Sequence, residues 1–307
     1  MSRMRKLVTV PLALAGTAAA GLTYAHKVEP NLFRLRRYEV PVLPGGVRPV
    51  RILQLSDIHM IPGQHRKVRW LRSLAALEPD FVVNTGDNLS DPGAVGTVLD
   101  GLEPLMEFPG AFVMGSNDYL AARPMNPTKY LRRGDPSTRT PGEGKQNDWH
   151  ALTTAFTKAG WLDLTNRTTR LDLPGAAGPA IGLLGVDDPH IRRDKYEEAA
   201  SSLPAIRENT DIALGVVHAP YRRVLDAMST DALPLILAGH THGGQLRIPF
   251  FGALVTNCDL DRRRASGLST YGESHLHVSA GCGTSRYAQI RFSCPPEATL
   301  LTLTPRS

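Results

Sequence analysis

From Val50 onward the chain repeats one unit: a short apolar run, a polar cluster, then a stretch with helical spacing. "VRILQLS" precedes "HRKVRWLRSLAALEP", in which Val68, Leu71, Leu74, Ala75 and Leu77 approximate one helical stripe. "DFVVNTG" precedes a second stripe of Val95, Val98, Leu99, Leu102, Leu105 and Met106, and "GAFVMGS" follows. Strand, helix, strand, helix, strand in that order constrains the chain to an α/β fold with a parallel sheet, right-handed crossovers and helices over its faces. Later, "WHALTTAFTKAG" reads as a helix, and "TRLDL", "PAIGLLGV", "DIALGVVH", "LPLILAGH", "LHVSAG" and "ATLLTLT" read as strands, with a short helix near Tyr221 to Met228. This strand-rich second half predicts another sheet packed on the first. With 307 residues and 42% hydrophobic content, the chain can bury one large core.

Ligand sites in parallel sheets gather beyond the carboxyl ends of the strands, and the polar clusters fall there. "LQLSDIH" delivers Asp57 and His59, "VVNTGD" delivers Asp87, and "FVMGSND" delivers Ser116, Asn117 and Asp118. "LGVVH" delivers His218, and "LILAGHTH" delivers His240 and His242. Taken singly, each is a turn, a cap or a surface histidine. Taken together, five apolar runs that each end in Asp, Asn or His indicate a metal site. Oxygen donors mixed with imidazoles suit Mn²⁺, Fe²⁺ or Zn²⁺. Cys258, Cys282 and Cys294 form no CxxC pattern, which excludes a zinc ribbon and a dense disulfide framework.

At these residues the chain resembles the calcineurin-like metallophosphoesterase superfamily, whose ordered motifs are D-x-H, G-D, G-N-H-[DE], H and G-H-x-H. Here they stand as "DIH", "GDNLSD", "GSND", "VVHAP" and "GHTH". "GHTHGGQLRIPFFG", "GVDDPH" and the apolar N-terminus are similar to a bacterial, membrane-associated branch of YkuE-type enzymes, some assigned to UDP-2,3-diacylglucosamine hydrolysis. The resemblance implies two packed mixed β-sheets flanked by helices, an α/β/β/α sandwich, and a hydrolase with two divalent ions. Asp57, His59 and His242 would hold one ion, Asn117, His218 and His240 the other, and Asp87 would bridge them. Two cations so placed acidify a bridging water and clamp phosphoryl oxygens. The third motif departs from the pattern. A gapless match puts Ser116 at the asparagine ligand and Asn117 at the histidine that assists the leaving group. A carboxamide oxygen is the better ligand, so Asn117 is expected to bind metal, with Asp118 beside it. Asp87, Asn117 and Asp118 are the expected catalytic residues. A neutral amide cannot donate and recover a proton as histidine does.

Before the domain, "MSRMRK" is followed by the uncharged run Leu7 to Ala25. At about 1.5 Å per residue, a helix of this length approaches the hydrocarbon thickness. The expectation is a single N-terminal membrane anchor with the catalytic domain exported, or a cleaved secretion signal. Residues 1–27 are thus read as anchor or signal, 28–48 as linker and 49–305 as the catalytic domain. Arg123 to Asn147, rich in proline, glycine and charge, reads as a mobile flap or as disorder. A net charge of +6 suits an anionic partner. The expected substrate is a phosphodiester or pyrophosphate, with a lipid-linked phosphate as the finer reading. A non-catalytic metal-binding scaffold and a nuclease are the alternatives. No separate nucleic-acid module is visible, so no nucleic-acid partner is expected.

Overall fold

Strand runs buried on both faces set the layers of this fold. The computed structural model describes residues 16–122, 124, 145–175 and 178–306. In chain order the strands are β1 (Arg34–Leu43), β2 (Val50–Leu55), β3 (Phe81–Asn84), β4 (Gly110–Phe112), β5 (Leu162–Asp163), β6 (Arg167–Asp172) and β7 (Ala180–Gly185). They continue with β8 (Ile212–Val216), β9 (Leu235–Ala238), β10 (Arg247–Ile248), β11 (Gly252–Ala253), β12 (Gly267–Tyr271), β13 (Ser274–Val278) and β14 (Glu297–Pro305). One sheet has the order β1-β14-β2-β3-β4-β5, the other β12-β13-β9-β8-β7-β6, and β10 pairs with β11 as a separate hairpin. Strands β2 to β5 are parallel, as are β7, β8, β9 and β13. The antiparallel pairings of β14 with β2, β6 with β7 and β12 with β13 make both sheets mixed.

Successive side chains along each strand sort to opposite faces. Ile52, Phe81, Val83 and Val113 meet Leu183, Leu214, Val216 and Leu237 in a core between the sheets. Leu53, Val82 and Phe112 face the other way and pack on Val68, Leu71, Val98, Leu102 and Phe156 of the helices His65–Ser73, Val95–Leu102 and Trp149–Lys158. Beyond the second sheet, Ile236 and Leu276 pack on Leu203, Val224 and Met228. Full burial of each such side chain contributes about 1.5–3 kcal/mol. The layers therefore run helix, sheet, sheet, helix, the sandwich that the sequence implied.

Two expectations are corrected. The stretch read as linker contains β1, which pairs in parallel with β14 from Arg34 against Glu297 onward. Its first half carries Arg34, Arg36, Arg37 and Glu39 on an exposed edge, and charge on an edge strand hides strand character in a sequence. The single N-terminal anchor, and the membrane localisation expected with it, are not supported. Among the described residues no helix is long and apolar enough to cross a membrane. Residues 7–15 of the apolar run lie outside the described residues. The helical stretch 16–23 continues as a π-helical turn at Tyr24–Val28, which docks on the domain. Ala25 is buried and its carbonyl accepts the Arg291 N–H at 2.9 Å, and His26 Nδ1 bonds the Gln289 carbonyl at 2.6 Å. The expected flap lies outside the described residues at Arg123 and 125–144.

Candidate metal centre

The two sheets bring the ends of β2, β3, β4, β8 and β9 to one place. Asp57 and His59 follow β2, Asp87 follows β3, and Asn117 lies in the turn Ser116–Tyr119 after β4. His218 follows β8, and His240 and His242 follow β9. Asp57, His59, Asp87, His240 and His242 all have positive φ, at 48°, 44°, 57°, 70° and 50°. Outside glycine this region costs about 1–2 kcal/mol per residue. Strain concentrated on five of seven expected ligands marks a site held in shape by its surroundings. Part of that hold is main-chain pairing: the N–H groups of Asp57 and His59 donate to the carbonyls of Gly86 and Asp87, each at 2.9 Å. Close packing adds to it, since a Cβ on Gly115 would collide with Asp87 Oδ1 and lie 2.7 Å from His218 Cε1.

The donor atoms form two groups. Those of Asp57, His59 and His242 lie within 4.8 Å of one another, and so do those of Asp87, His218 and His240. Asp57 Oδ1 is 3.6 Å from His242 Nε2 and 3.9 Å from His59 Nε2. Asp87 Oδ2 stands between the groups, 3.3 Å from His59 Nε2 and 3.5 Å from His218 Nε2. Asn117 joins at the same oxygen: its amide nitrogen donates to Asp87 Oδ2 at 2.6 Å and its main-chain N–H to Oδ1 at 2.7 Å. A half-turn of that amide would present its oxygen instead.

Each imidazole has one nitrogen committed to the protein. Nδ1 of His218 donates to the Thr85 carbonyl at 2.7 Å, Nδ1 of His242 to the Gly283 carbonyl at 3.2 Å, and Nε2 of His240 to the Asn257 carbonyl at 3.1 Å. His59 Nδ1 bonds Ser90 Oγ at 2.8 Å. A carbonyl partner fixes a proton on that nitrogen and turns the other toward the site, the arrangement of metal-ligating histidines. Burial first, then neighbouring imidazoles, hold His240 and His242 well below the ordinary histidine value, so both are neutral. Burial alone would raise Asp87, but His218 and His59 outweigh it and hold the carboxyl well below its usual range.

Asp57 Oδ1, His59 Nε2 and His218 Nε2 are buried without any hydrogen-bond partner. Buried polar atoms are costly when unpaired. Burial would lower His218, but Asp87 first, then Asp188 and Asp57, outweigh it and hold the imidazole well above its ordinary value, so an ion bound there would replace the Nε2 proton. A carboxylate oxygen and two imidazole nitrogens turned on one volume fit divalent cations.

Asp118, expected among the catalytic residues, is engaged by the main chain. Its Oδ2 accepts the N–H groups of Asp87 and Gly115 at 2.8 and 3.0 Å, and its Oδ1 accepts those of Asn88 and Leu89 at 2.7 and 3.3 Å. With both oxygens spent on main-chain donors, it locks the loop after β3 to the turn after β4. Two residues beside the centre were read in the sequence only as part of a resemblance and not as site residues. His190 packs against His240 with ring centroids 4.5 Å apart and the planes tilted by 47°, and bonds the Tyr221 hydroxyl at 3.0 Å. Asp188 is fully buried, with one oxygen accepting the His190 N–H at 2.8 Å and the other unpaired. Both follow β7 in "GVDDPH", so the strand-end rule that found the others applied to them as well.

A family model described as calcineurin-like phosphoesterase matches residues 50–244, well over half of the chain. The chain is 27% identical over 310 residues to "Phosphodiesterase YaeI" of Escherichia coli (strain K12), covering 99% of both chains. It is 27% identical over 318 residues to "Uncharacterized metallophosphoesterase YkuE" of Bacillus subtilis (strain 168), covering 99% of this chain and 98% of that one. A metallophosphoesterase of Aquifex aeolicus (strain VF5) is 24% identical over 289 residues, covering 91% and 95%. Motif order, donor geometry and family match agree: this chain belongs to the calcineurin-like phosphoesterase family and is a phosphoester hydrolase.

Proposed function

We propose that this chain hydrolyses phosphodiesters or pyrophosphates at a two-metal centre. Asp57, His59 and His242 would hold one ion, Asn117, His218 and His240 the other, and Asp87 would serve both. The observation that carries this reading is the placement of Asp87 Oδ2 within 3.5 Å of imidazole nitrogens from both groups. When bound, Mn²⁺, Fe²⁺ or Zn²⁺ would supply Lewis acidity to an attacking water and neutralise phosphoryl charge. The chain's own residues set the geometry. Thr85, Ser90, Asn257 and Gly283 orient the imidazoles, and Asp118 fixes the two loops that carry Asp87 and Asn117. Asn117 offers no exchangeable proton to a leaving group. Esters and anhydrides whose leaving group departs unassisted are therefore favoured.

A lipid-linked phosphate is the finer reading. Its support is the exposed Ile248, Phe250 and Phe251 on the hairpin just beyond His242, which suit an apolar portion of the substrate. The test is an assay of metal-stripped chain reloaded with each cation, against aryl and alkyl mono- and diesters and pyrophosphates. Diester or pyrophosphate preference and a steep dependence on leaving-group pKa are expected. A monoester preference would overturn the substrate class, and a flat dependence would point to a proton donor such as His190.

A further inference from the structure

Arg291 is the largest charged side chain that is fully buried. A buried cation is expensive, so its contacts should explain its presence. Nη1 donates to the Cys294 carbonyl at 2.9 Å, and Nη2 donates to the carbonyls of Ala280, Gly281 and Gly283 at 2.7, 3.1 and 2.6 Å. The guanidinium thus gathers the loop 280–283 that follows β13. That loop is the back wall of the group Asp57, His59 and His242. The Gly283 carbonyl held by Arg291 also accepts Nδ1 of His242. Gly281 stands so close to Asp57 that a Cβ there would lie 2.6 Å from Asp57 Cβ, and the Cys282 N–H donates to the Ser56 carbonyl at 2.9 Å. On its outer side the Arg291 segment is itself clamped. The buried Glu29 carboxylate accepts the N–H groups of Ser293 and Cys294, and Ala25 accepts that of Arg291.

We propose that Arg291 is a positioning residue for one of the two metal sites: by holding the carbonyls of 280–283 it aims His242 and braces Asp57 for the ion they share. The proposal rests on the two-metal reading above. Arginine suits the task because its planar fork carries five donors in fixed directions, whereas lysine offers three from one point. Two effects of the side chain oppose each other. Its positive charge repels a bound cation, while its hydrogen bonds hold the ligands in place. Substitution separates them by sign. If positioning dominates, both Arg291→Ala and Arg291→Lys weaken the ion. If charge dominates, the alanine variant binds it more tightly and the lysine variant is unchanged.

The experiment is calorimetric titration of metal-free full-length chain with Mn²⁺, with thermal melts by circular dichroism to check folding. Wild type should take up two ions. In both variants one binding step should weaken by about 10–100-fold, the range for groups that orient metal ligands. The other step should stay unchanged, and the weakened one should be the step missing from His242→Ala. Millimolar guanidinium should restore the alanine variant and leave the lysine variant as it was. Should Arg291→Ala fail to fold, Arg291→Lys still decides, because it keeps the charge and most of the volume. Unaltered binding in the lysine variant, or tighter binding in the alanine variant, would overturn the proposal. A wild-type chain that binds one ion would overturn the two-metal reading first, and this proposal with it.

Discussion

The two halves of the centre are built differently. In the group Asp57, His59 and His242, all three residues have left-handed backbone, and cations stand behind them. Arg291 holds the back-wall loop, and the buried Lys67 Nζ donates to the Ile58 carbonyl at 2.7 Å, between the two ligands of the first motif. In the group Asp87, His218 and His240, His218 continues from β8, and the buried neighbours are the carboxyls of Asp118 and Asp188. Burial lowers Lys67 to about 7 and raises Asp118 to about 6 and Asp188 to about 7, so these groups carry only part of their charge near neutral pH. One site is therefore backed by basic side chains and the other by carboxyls. The ion at His218 and His240 should be the tighter of the two, and the ion at His59 and His242 the exchangeable one.

The largest expected effect comes from the residue common to both halves. Asp87→Ala should lower activity by about a thousandfold or more, since it disturbs two ions worth several kcal/mol of transition-state stabilisation. Elemental analysis should find fewer than two metals per chain, and a variant that keeps both would dissolve the link between the halves. Next come the single-site variants. His218→Ala and His242→Ala should each lose one ion, but excess Mn²⁺ should recover much of the activity of His242→Ala and little of that of His218→Ala. Equal recovery would erase the asymmetry. Smaller again is the response of the unmodified chain to a chelator. Stepwise removal should proceed in two stages, with the first ion returning readily, and release of both together would contradict unequal sites.

The smallest effect concerns a buried histidine outside both groups. His277 on β13 bonds Gln54 Oε1 at 2.7 Å, and burial pushes it down to about 3 from an ordinary 6.5. The unfolded chain therefore binds a proton that the folded chain refuses. The stability tied to this group is complete above pH ~6.5 and is lost as pH falls toward ~3, by up to about 4 kcal/mol. Denaturant melts of His277→Gln should show a shallower acid slope with metal binding intact. An unchanged slope would mean that His277 is not what titrates.

His277 also shows where the sequence becomes ambiguous. In "SHLHVSAG" it stands one residue before the end of β13, close in the text to where His218 and His240 follow their strands, and only packing separates a core imidazole from a candidate ligand. The strands β2, β3, β4, β8 and β9 were legible because burial on both faces makes them continuous apolar runs with abrupt polar ends, and those ends carry the candidate ligands. Charge hides structure in the same text. Arg34, Arg36 and Arg37 concealed β1, and nothing in the local sequence marks Arg291, Lys67 and Glu29 as the buried charges they are. The apolar run before the domain posed the opposite problem. Its hydropathy resembles that of a spanning helix, whereas its described end docks on the domain through Ala25 and Glu29. Which atoms of Asp118 are already engaged is a property of the assembled loops, not of the motif.

The central claim is that Asp87 is shared by two ions, and a crystal soaked in Mn²⁺ tests it most directly. Anomalous difference maps should show two peaks about 3.5–4 Å apart. One should be ligated by Asp57, His59 and His242, the other by Asn117, His218 and His240, with Asp87 in contact with both. A single peak, or two peaks of which Asp87 touches only one, would contradict it.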